Sequence, residues 1–375
     1  MTLQTFEIEE RYKQFEQLIP QFSDFKIRKT RSISSQELLE NPNISIYCLD
    51  PKTQHAVFVE IPSEIDLSQV PFYYMAQFAH AMRVILVPYQ DLHTLAQQIP
   101  LAGDQLMLVY SVGRCGSTLT SMAFNQADGV IGLSEPDVFT QLVAMRDWDG
   151  SNDQEISELL KACTHLTCKG WVTKGKPKKW AIKFRSYGIE IGDLINQHFP
   201  EARSLFLYRN AEDWTDSMVR GFGGDKVITP EILSFFWNFM KPLVRLPALY
   251  DDRDEELSLA QVLGLHWLSP METYLNLVEK GIQMLPVRYE DMKRKTLPVM
   301  EKIFSYCGIE SKDRDELKKV LEKDSQAGSV LAREFTQDQQ FQSKQQVMKE
   351  LDELLATRPV INRSDFKLPG TLVLE

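Results

Sequence analysis

The sequence predicts an α/β protein: a mostly parallel sheet flanked by helices, with an α+β extension at its N-terminus. Three observations carry that reading. Beyond residue 100, apolar strand-like runs alternate with helical patterns, and helical crossovers make neighbouring strands parallel. One of these runs stops at a glycine-containing loop and resumes as a helix. Ahead of them, two strand-like runs face each other across a short polar turn, which favours antiparallel pairing. The division that follows is residues 1–100 for the extension and 101–375 for the α/β domain.

In the extension, Thr5 to Ile19 has the apolar spacing of a helix. Ile44 to Leu49 and Ala56 to Ile61 read as a hairpin around Asp50-Pro-Lys-Thr-Gln54. Phe72 to Ala81 is expected to be helical, Val84 to Val87 a strand and Asp91 to Gln98 a helix. No motif marks this region; it reads as a packing extension, a cover over a site or a dimer support.

In the α/β domain, Leu106-Met-Leu-Val-Tyr110 is a buried-strand pattern that ends at a loop holding Gly113 and Gly116, with a helix expected from there through Asn125. A strand, a glycine loop and a helix N-terminus make an anion site, because free backbone N–H groups and the positive end of the helix dipole share one direction. Glycine allows a close backbone approach. Ser117 and Thr118 add hydroxyl donors and Arg114 adds a charged fork. Nucleotide phosphate loops follow their second glycine with lysine. Here Gly116 is followed by Ser117, and Ser111 stands where the first glycine belongs. A second buried strand, Arg203 to Tyr208, leads into Arg209-Asn210, with Asn210 and Asp213 spaced to cap a helix starting near Ala211. Ser217 then lies two turns along that helix, on the side of the strand end carrying Arg209. Ligands of such sheets bind outside the carboxyl ends of the strands, and Tyr110, Phe184, Tyr208 and Val287 each lie near one.

Arg114-Cys115-Gly116-Ser117-Thr118 resembles the 5′-phosphosulfate loop of sulfotransferases, enzymes that move a sulfuryl group from 3′-phosphoadenosine 5′-phosphosulfate (PAPS). Arg209 with Ser217 eight residues later resembles their 3′-phosphate site, with Ala211 where a proline is usual. Pro286-Val-Arg-Tyr289-Glu-Asp-Met292 resembles a strand end of bacterial and Golgi-type members, where Tyr289 packs on the nucleotide or in the core. Trp180-Ala-Ile-Lys183 resembles the strand whose lysine contacts the transferring group, and Asp324-Ser325-Gln326 a C-terminal element near the nucleotide. The resemblance spans about residues 105–335 and implies a P-loop-like fold. Arg185 stands where cytosolic animal members carry a histidine, so the base must be another residue. Glu135, twenty-one residues after Arg114, resembles the catalytic glutamate of tyrosylprotein-type and several bacterial members. Its alternative is structural, since Ser134-x-x-Asp137 has the spacing of a capping box.

The resemblance therefore implies sulfuryl transfer from PAPS to a hydroxyl or amine of a small-molecule acceptor, natural products among the candidates, with no metal required. Glu135, Arg114 and Lys183 would be catalytic. Arg114, Cys115, Gly116, Ser117, Thr118, Arg209, Ser217, Tyr289 and Ser325 would bind the donor. Two alternatives stand beside it: a nucleotide-dependent kinase or phosphotransferase, which the missing lysine after Gly116 disfavours, and a sulfonucleotide-binding protein without turnover.

Composition is consistent with this. A formal net charge of −10 argues against a nucleic-acid surface, so an anionic donor needs a local basic pocket. Five unevenly spaced cysteines suit reduced thiols in a cytoplasm. No apolar run approaches the roughly 20 residues that span a bilayer, and the acidic N-terminus lacks a signal-peptide core. The expectation is a cytoplasmic protein without a membrane partner, with a homodimer left open. Cys163-x-His165-x-x-Cys168 lacks a fourth metal ligand and reads as a helix end. Lys174, Lys176, Lys178 and Lys179 read as a solvated loop or an electrostatic funnel. Gly221 to Gly224 reads as a flexible loop and Asp251 to Glu256 as a solvated turn. Phe235-Phe-Trp-Asn-Phe-Met240 reads as helix core or an acceptor-pocket wall, and His266 and Trp267 as core.

Overall fold

Among the described residues, two five-stranded sheets organise the fold, one antiparallel and one parallel. The computed structural model describes residues 1–169, 179–218, 229–245 and 258–323, together with 349, 352, 361 and 365–374. The antiparallel sheet comprises Thr2–Arg11 (β1), Phe25–Ser34 (β2), Ile44–Asp50 (β3), His55–Glu60 (β4) and Arg83–Pro88 (β5), in the order β2-β1-β5-β4-β3. Its helices are Ser35–Glu40 (α1), Tyr73–His80 (α2) and Tyr89–Ala96 (α3). The expected β3–β4 hairpin is present. Asp50 Oδ2 accepts from Thr53 Oγ1 at 2.7 Å, and Gln54 takes a left-handed φ of 56° to close the turn.

The helix expected over Thr5 to Ile19 is not formed: Thr2–Arg11 is a strand paired with both β2 and β5. Leu3 and Thr5 point into one core while Phe6 and Ile8 pack on the other face of the sheet. That is a two-residue period, and only partners distant in sequence reveal it.

The parallel sheet comprises Leu106–Ser111 (β6), Val130–Ser134 (β7), Lys179–Lys183 (β8), Arg203–Tyr208 (β9) and Leu285–Arg288 (β10), in the order β10-β9-β6-β8-β7. The connecting helices are Ser117–Phe124 (α4), Val138–Met145 (α5), Asp153–Thr167 (α6), Gly192–His198 (α7), Ala211–Met218 (α8), Pro230–Met240 (α9) and Leu259–Glu279 (α10). Tyr289–Arg294 (α11), Thr296–Cys307 (α12) and Arg314–Glu322 (α13) follow the last strand. Strands β6, β8 and β9 are almost wholly buried, as expected of a sheet covered on both faces.

One continuous core joins the two sheets, running from Ile46, Leu49 and Phe58 through Leu142 and Leu160 to Met107 and Val109. Helices α5 and α6 lie against β3, and Gln141 of α5 makes paired hydrogen bonds with the Leu49 backbone. Lys169 is buried and donates its ammonium to the carbonyls of Leu38 at 2.7 Å and Asn41 at 2.6 Å. Desolvation lowers its pKa to about 7, and the two carbonyls accept the hydrogen bonds that its buried amine offers.

Candidate active site

The carboxyl ends of β6, β9, β8 and β7 bring the singled-out residues of the described chain together. After β6, Gly113, Arg114 and Gly116 have φ values of 77°, 51° and 82°. Repeated left-handed residues turn successive N–H groups toward one concavity, which is an anion nest. Ser111 Oγ accepts from Gly113 N at 3.3 Å, and Gly116 is the N-cap of α4 with no side chain capping its first turn. The left-handed φ of Gly116 is what favours glycine there; a Cβ would meet only the flexible end of Met292 closely and lie at ordinary contact from the Tyr289 ring. Ser117 and Thr118 open α4 and are nearly buried. Cys115, expected among the donor-binding residues, turns its side chain away from the loop. Its thiol turns into the sheet toward the Leu207 carbonyl at 3.3 Å, burial raises its pKa to about 12, and only its backbone N–H is left to offer.

Arg114 and Arg209 meet above this loop. Arg114 Nε donates to Ser217 Oγ at 3.1 Å, so Ser217 reaches the loop arginine directly. Arg209 Nη1 donates to the Arg114 carbonyl at 3.2 Å, and its guanidinium lies 4.6 Å from the Tyr289 ring centroid. Arg209 Nε is buried without a hydrogen-bond partner, an orphaned donor of the kind an anion satisfies. Asn210 caps α8 by accepting from Asp213 N at 2.9 Å, as its spacing predicts. Its N–H and Nδ2 donate to Glu290 at 3.0 and 2.6 Å, which ties the ends of β9 and β10. Two indoles finish the frame: Trp214 Nε1 donates to the Val112 carbonyl at 3.0 Å and Trp267 Nε1 to that of Arg209 at 2.9 Å.

On the β7–β8 side, Lys183 Nζ forms a buried ion pair with Glu135 Oε1. Glu135 has a left-handed φ of 63°, held by its N–H donating to the Lys183 carbonyl at 2.7 Å. Such strain in a non-glycine residue is found where a side chain must be aimed. The capping box spaced at Ser134 and Asp137 does not form. Ser134 Oγ donates instead to the Pro71 carbonyl at 2.7 Å, and Asp137 pairs with Arg185 at 2.9 Å rather than capping α5. His266 is partly buried, 3.0 Å from Ser186 Oγ, and burial together with the Arg185 charge lowers its pKa to about 4.

Some expectations fall elsewhere. Lys179 sits at the opposite end of β8 from Lys183 and donates to the Cys307 carbonyl at 2.8 Å, away from the strand ends where a funnel would be useful. Lys174, Lys176, Lys178, Gly221 to Gly224, Asp251 to Glu256 and the donor candidate Ser325 lie outside the described residues. Cys163 and His165 lie in the last turns of α6 and Cys168 at its C-cap, and among the described residues no group of three or more His, Cys, Asp or Glu is placed to hold a metal. No described helix is long and apolar enough to cross a membrane. Glu290, Trp214, Trp267 and Arg185 stand at the site without a role that their sequence context signals. The first three act through backbone atoms of other elements, which no local motif signals.

Residues 194–351 match the family described as Sulfotransferase domain, a span that includes Arg209, Ser217 and Tyr289. No curated protein matches the chain. Among solved structures, the chain is similar to sulfotransferase STF9 from Mycobacterium avium at 14% identity and a TM-score of 0.41, covering 75% of this chain and 81% of that one. A sulfotransferase from Alicyclobacillus acidocaldarius is similar at 11% identity and a TM-score of 0.39, covering 70% and 96%. Retinol dehydratase, solved with retinol and PAP, is similar at 10% identity and a TM-score of 0.37, covering 88% and 99%.

Proposed function

We propose that this chain, which matches a sulfotransferase domain over residues 194–351, transfers a sulfuryl group from PAPS to a hydroxyl or amine of a small molecule. The observation that carries the choice of donor is the pairing of two cationic sites across one loop. The nest at 113–116 with Arg114 suits a 5′-phosphosulfate. The orphaned Nε of Arg209, beside Tyr289, suits a 3′-phosphate with an adenine nearby. A triphosphate would need the lysine that Ser117 replaces, and divalent metal to bridge its oxygens.

In this reading the acceptor oxygen or nitrogen attacks sulfur as the bond from sulfur to the bridging phosphate oxygen breaks. Glu135 takes the acceptor's proton, and the electron pair of the broken bond leaves on 3′-phosphoadenosine 5′-phosphate (PAP). Arg114 and Lys183 neutralise the charge developing on the bridging and sulfuryl oxygens. The Lys183–Glu135 ion pair sets the proposed base beside the lysine that would meet the sulfuryl oxygens.

Calorimetric titration of PAP against ATP–Mg²⁺, with transfer from labelled PAPS followed in excess EDTA, tests the proposal. PAP should bind at least about tenfold more tightly, the worth of one charge-assisted contact, and transfer should persist in EDTA. Strict Mg²⁺ dependence with equal ATP affinity would restore the phosphotransferase reading.

A further inference from the structure

We propose that the N-terminal unit braces the turn that aims Glu135, and that Ser134, Asp137 and Arg185 are the positioning residues through which it does so. The inference rests on the reading of Glu135 as the base and gives residues 1–100 a part in the reaction.

The ends of β7 and β8 are joined by two ion pairs in succession. Lys183 pairs with Glu135 and, two residues beyond, Arg185 pairs with Asp137. Both bridge 48 residues of chain, so the second pair repeats the first along the same two strand ends. Between them Glu135 keeps its φ of 63°, a conformation that a non-glycine residue holds only where its surroundings over-determine it. The bond from its own N–H to the Lys183 carbonyl supplies one restraint. The others come through Ser134 before it and Asp137 after it, and both lead into the N-terminal unit. Ser134 Oγ donates to the Pro71 carbonyl at 2.7 Å, just ahead of α2. Asn125 Nδ2 secures the same segment by donating to the Ser68 carbonyl at 2.8 Å. On the other side, Arg185 Nη1 donates to Asp137 Oδ2 and to the Gln17 carbonyl, each at 2.9 Å. The chain leading to Gln17 is itself anchored, since Tyr12 N donates to the Asp24 carbonyl at 2.9 Å and Lys13 pairs with the Asp24 carboxylate at 3.5 Å.

Charge gives Arg185 a second reason to be there. The Asp137 side chain is wholly buried two residues from the proposed base. Burial raises its pKa, Arg185 opposes the rise, and the Glu135 carboxylate adds to it. Arg185 thus neutralises an acid that would otherwise repel Glu135 and compete for Lys183. Its guanidinium is also confined, 5.2 Å from the ring of Tyr74 in α2 and 5.6 Å from that of Phe239 in α9. The donor-side residues lie apart from this brace, on the loops after β6 and β9. Loosening it should therefore move the base and leave the nucleotide site as it is.

The test uses the full chain, with labelled sulfuryl transfer from PAPS to 2-naphthol as the probe acceptor and crystal structures of the PAP complexes. Two variants loosen the brace: Ser134→Ala, and Arg185→Gln combined with Asp137→Asn so that no buried charge is left alone. Each should lower kcat about ten- to hundredfold, the cost of moving a reacting group by about 1 Å, with PAP affinity and the KM for PAPS within about twofold. Arg185→Lys, which keeps the charge toward Asp137 but loses the fork that also reaches Gln17, should fall between. In a Glu135→Gln background the same changes should cost no more than about twofold further, because no base is left to misplace. In the PAP complexes of the two brace variants, Glu135 should leave its left-handed conformation or its contact with Lys183. Should the paired substitution fail to fold, Ser134→Ala, which removes one hydroxyl, carries the test. Should the wild-type chain leave 2-naphthol unmodified, the position of Glu135 in those structures decides it. Losses that multiply in the Glu135→Gln background, or an unmoved Glu135, overturn the proposal. Turnover by Glu135→Gln within a few-fold of wild type instead defeats the base assignment beneath it, and this proposal with it.

Discussion

Arg209→Ala separates a phosphate ligand from a structural arginine. Among the described residues, the Arg209 guanidinium makes one hydrogen bond, from Nη1 to the Arg114 carbonyl at 3.2 Å, and lies 4.6 Å from the Tyr289 ring centroid, while its Nε is buried without a hydrogen-bond partner. Removing the side chain therefore has two consequences of different size. Loss of the bond to the loop carbonyl, about 1 kcal/mol, loosens the nest and weakens any 5′-phosphorylated nucleotide about fivefold. Loss of a charge-assisted contact to a 3′-phosphate, about 1.5–3 kcal/mol, adds a further ten- to hundredfold for nucleotides that carry that group. Calorimetry with PAP and with adenosine 5′-phosphate, which lacks the 3′-phosphate, reads the two terms apart. Arg209→Lys should fall between, since a lysine retains the charge but not the planar fork over Tyr289. Equal weakening of both nucleotides by Arg209→Ala would refute the assignment and leave Arg209 as a brace for the loop.

Two further outcomes test the other half of the site. Glu135→Gln keeps the shape that holds the left-handed turn but cannot take a proton, so labelled-sulfuryl transfer should drop about 10²–10⁴-fold with PAP affinity little changed; turnover within a few-fold of wild type would mean another group takes the proton. His266 is held at about 4 against an ordinary 6.5 by burial and by Arg185, so its contribution to stability is complete above pH 6.5 and is lost as pH falls toward 4. The integrated contribution is about 3 kcal/mol, and His266→Gln should flatten the fall in urea midpoint between pH 7 and pH 4.5; parallel losses in the two proteins would show that His266 is not the titrating group.

The chemistry of the loop was legible because its cause is local. A buried strand pattern, glycines at 113 and 116, and hydroxyl residues opening a helix determine the nest within a dozen residues, and the φ values at Gly113 and Gly116 follow from that wording. The same holds for the Asn210–Asp213 cap and the β3–β4 hairpin, where turn and capping residues act on their own backbone. Spacing failed at Thr5 to Ile19. Phe6, Ile8, Tyr12, Phe15 and Ile19 imitate a helical stripe, but β1 gains its hydrogen bonds from β2 and β5, and pairing outweighs a weak local preference.

By itself, then, the sequence determined the alternating α/β order, the anion loop without its lysine, and the candidate residues Arg114, Lys183, Arg209 and Ser217. Only tertiary structure decided how they meet. It placed Ser217 on Arg114, turned Cys115 into the sheet, paired Glu135 with Lys183 in place of a capping box, and made Arg185 the link between the N-terminal unit and the site. The physical reason is range. Helix starts, turns and glycine conformations are set by neighbours a few residues away, whereas an ion pair across 48 residues or a carbonyl contact across 168 exists only once the sheets have assembled and excluded water.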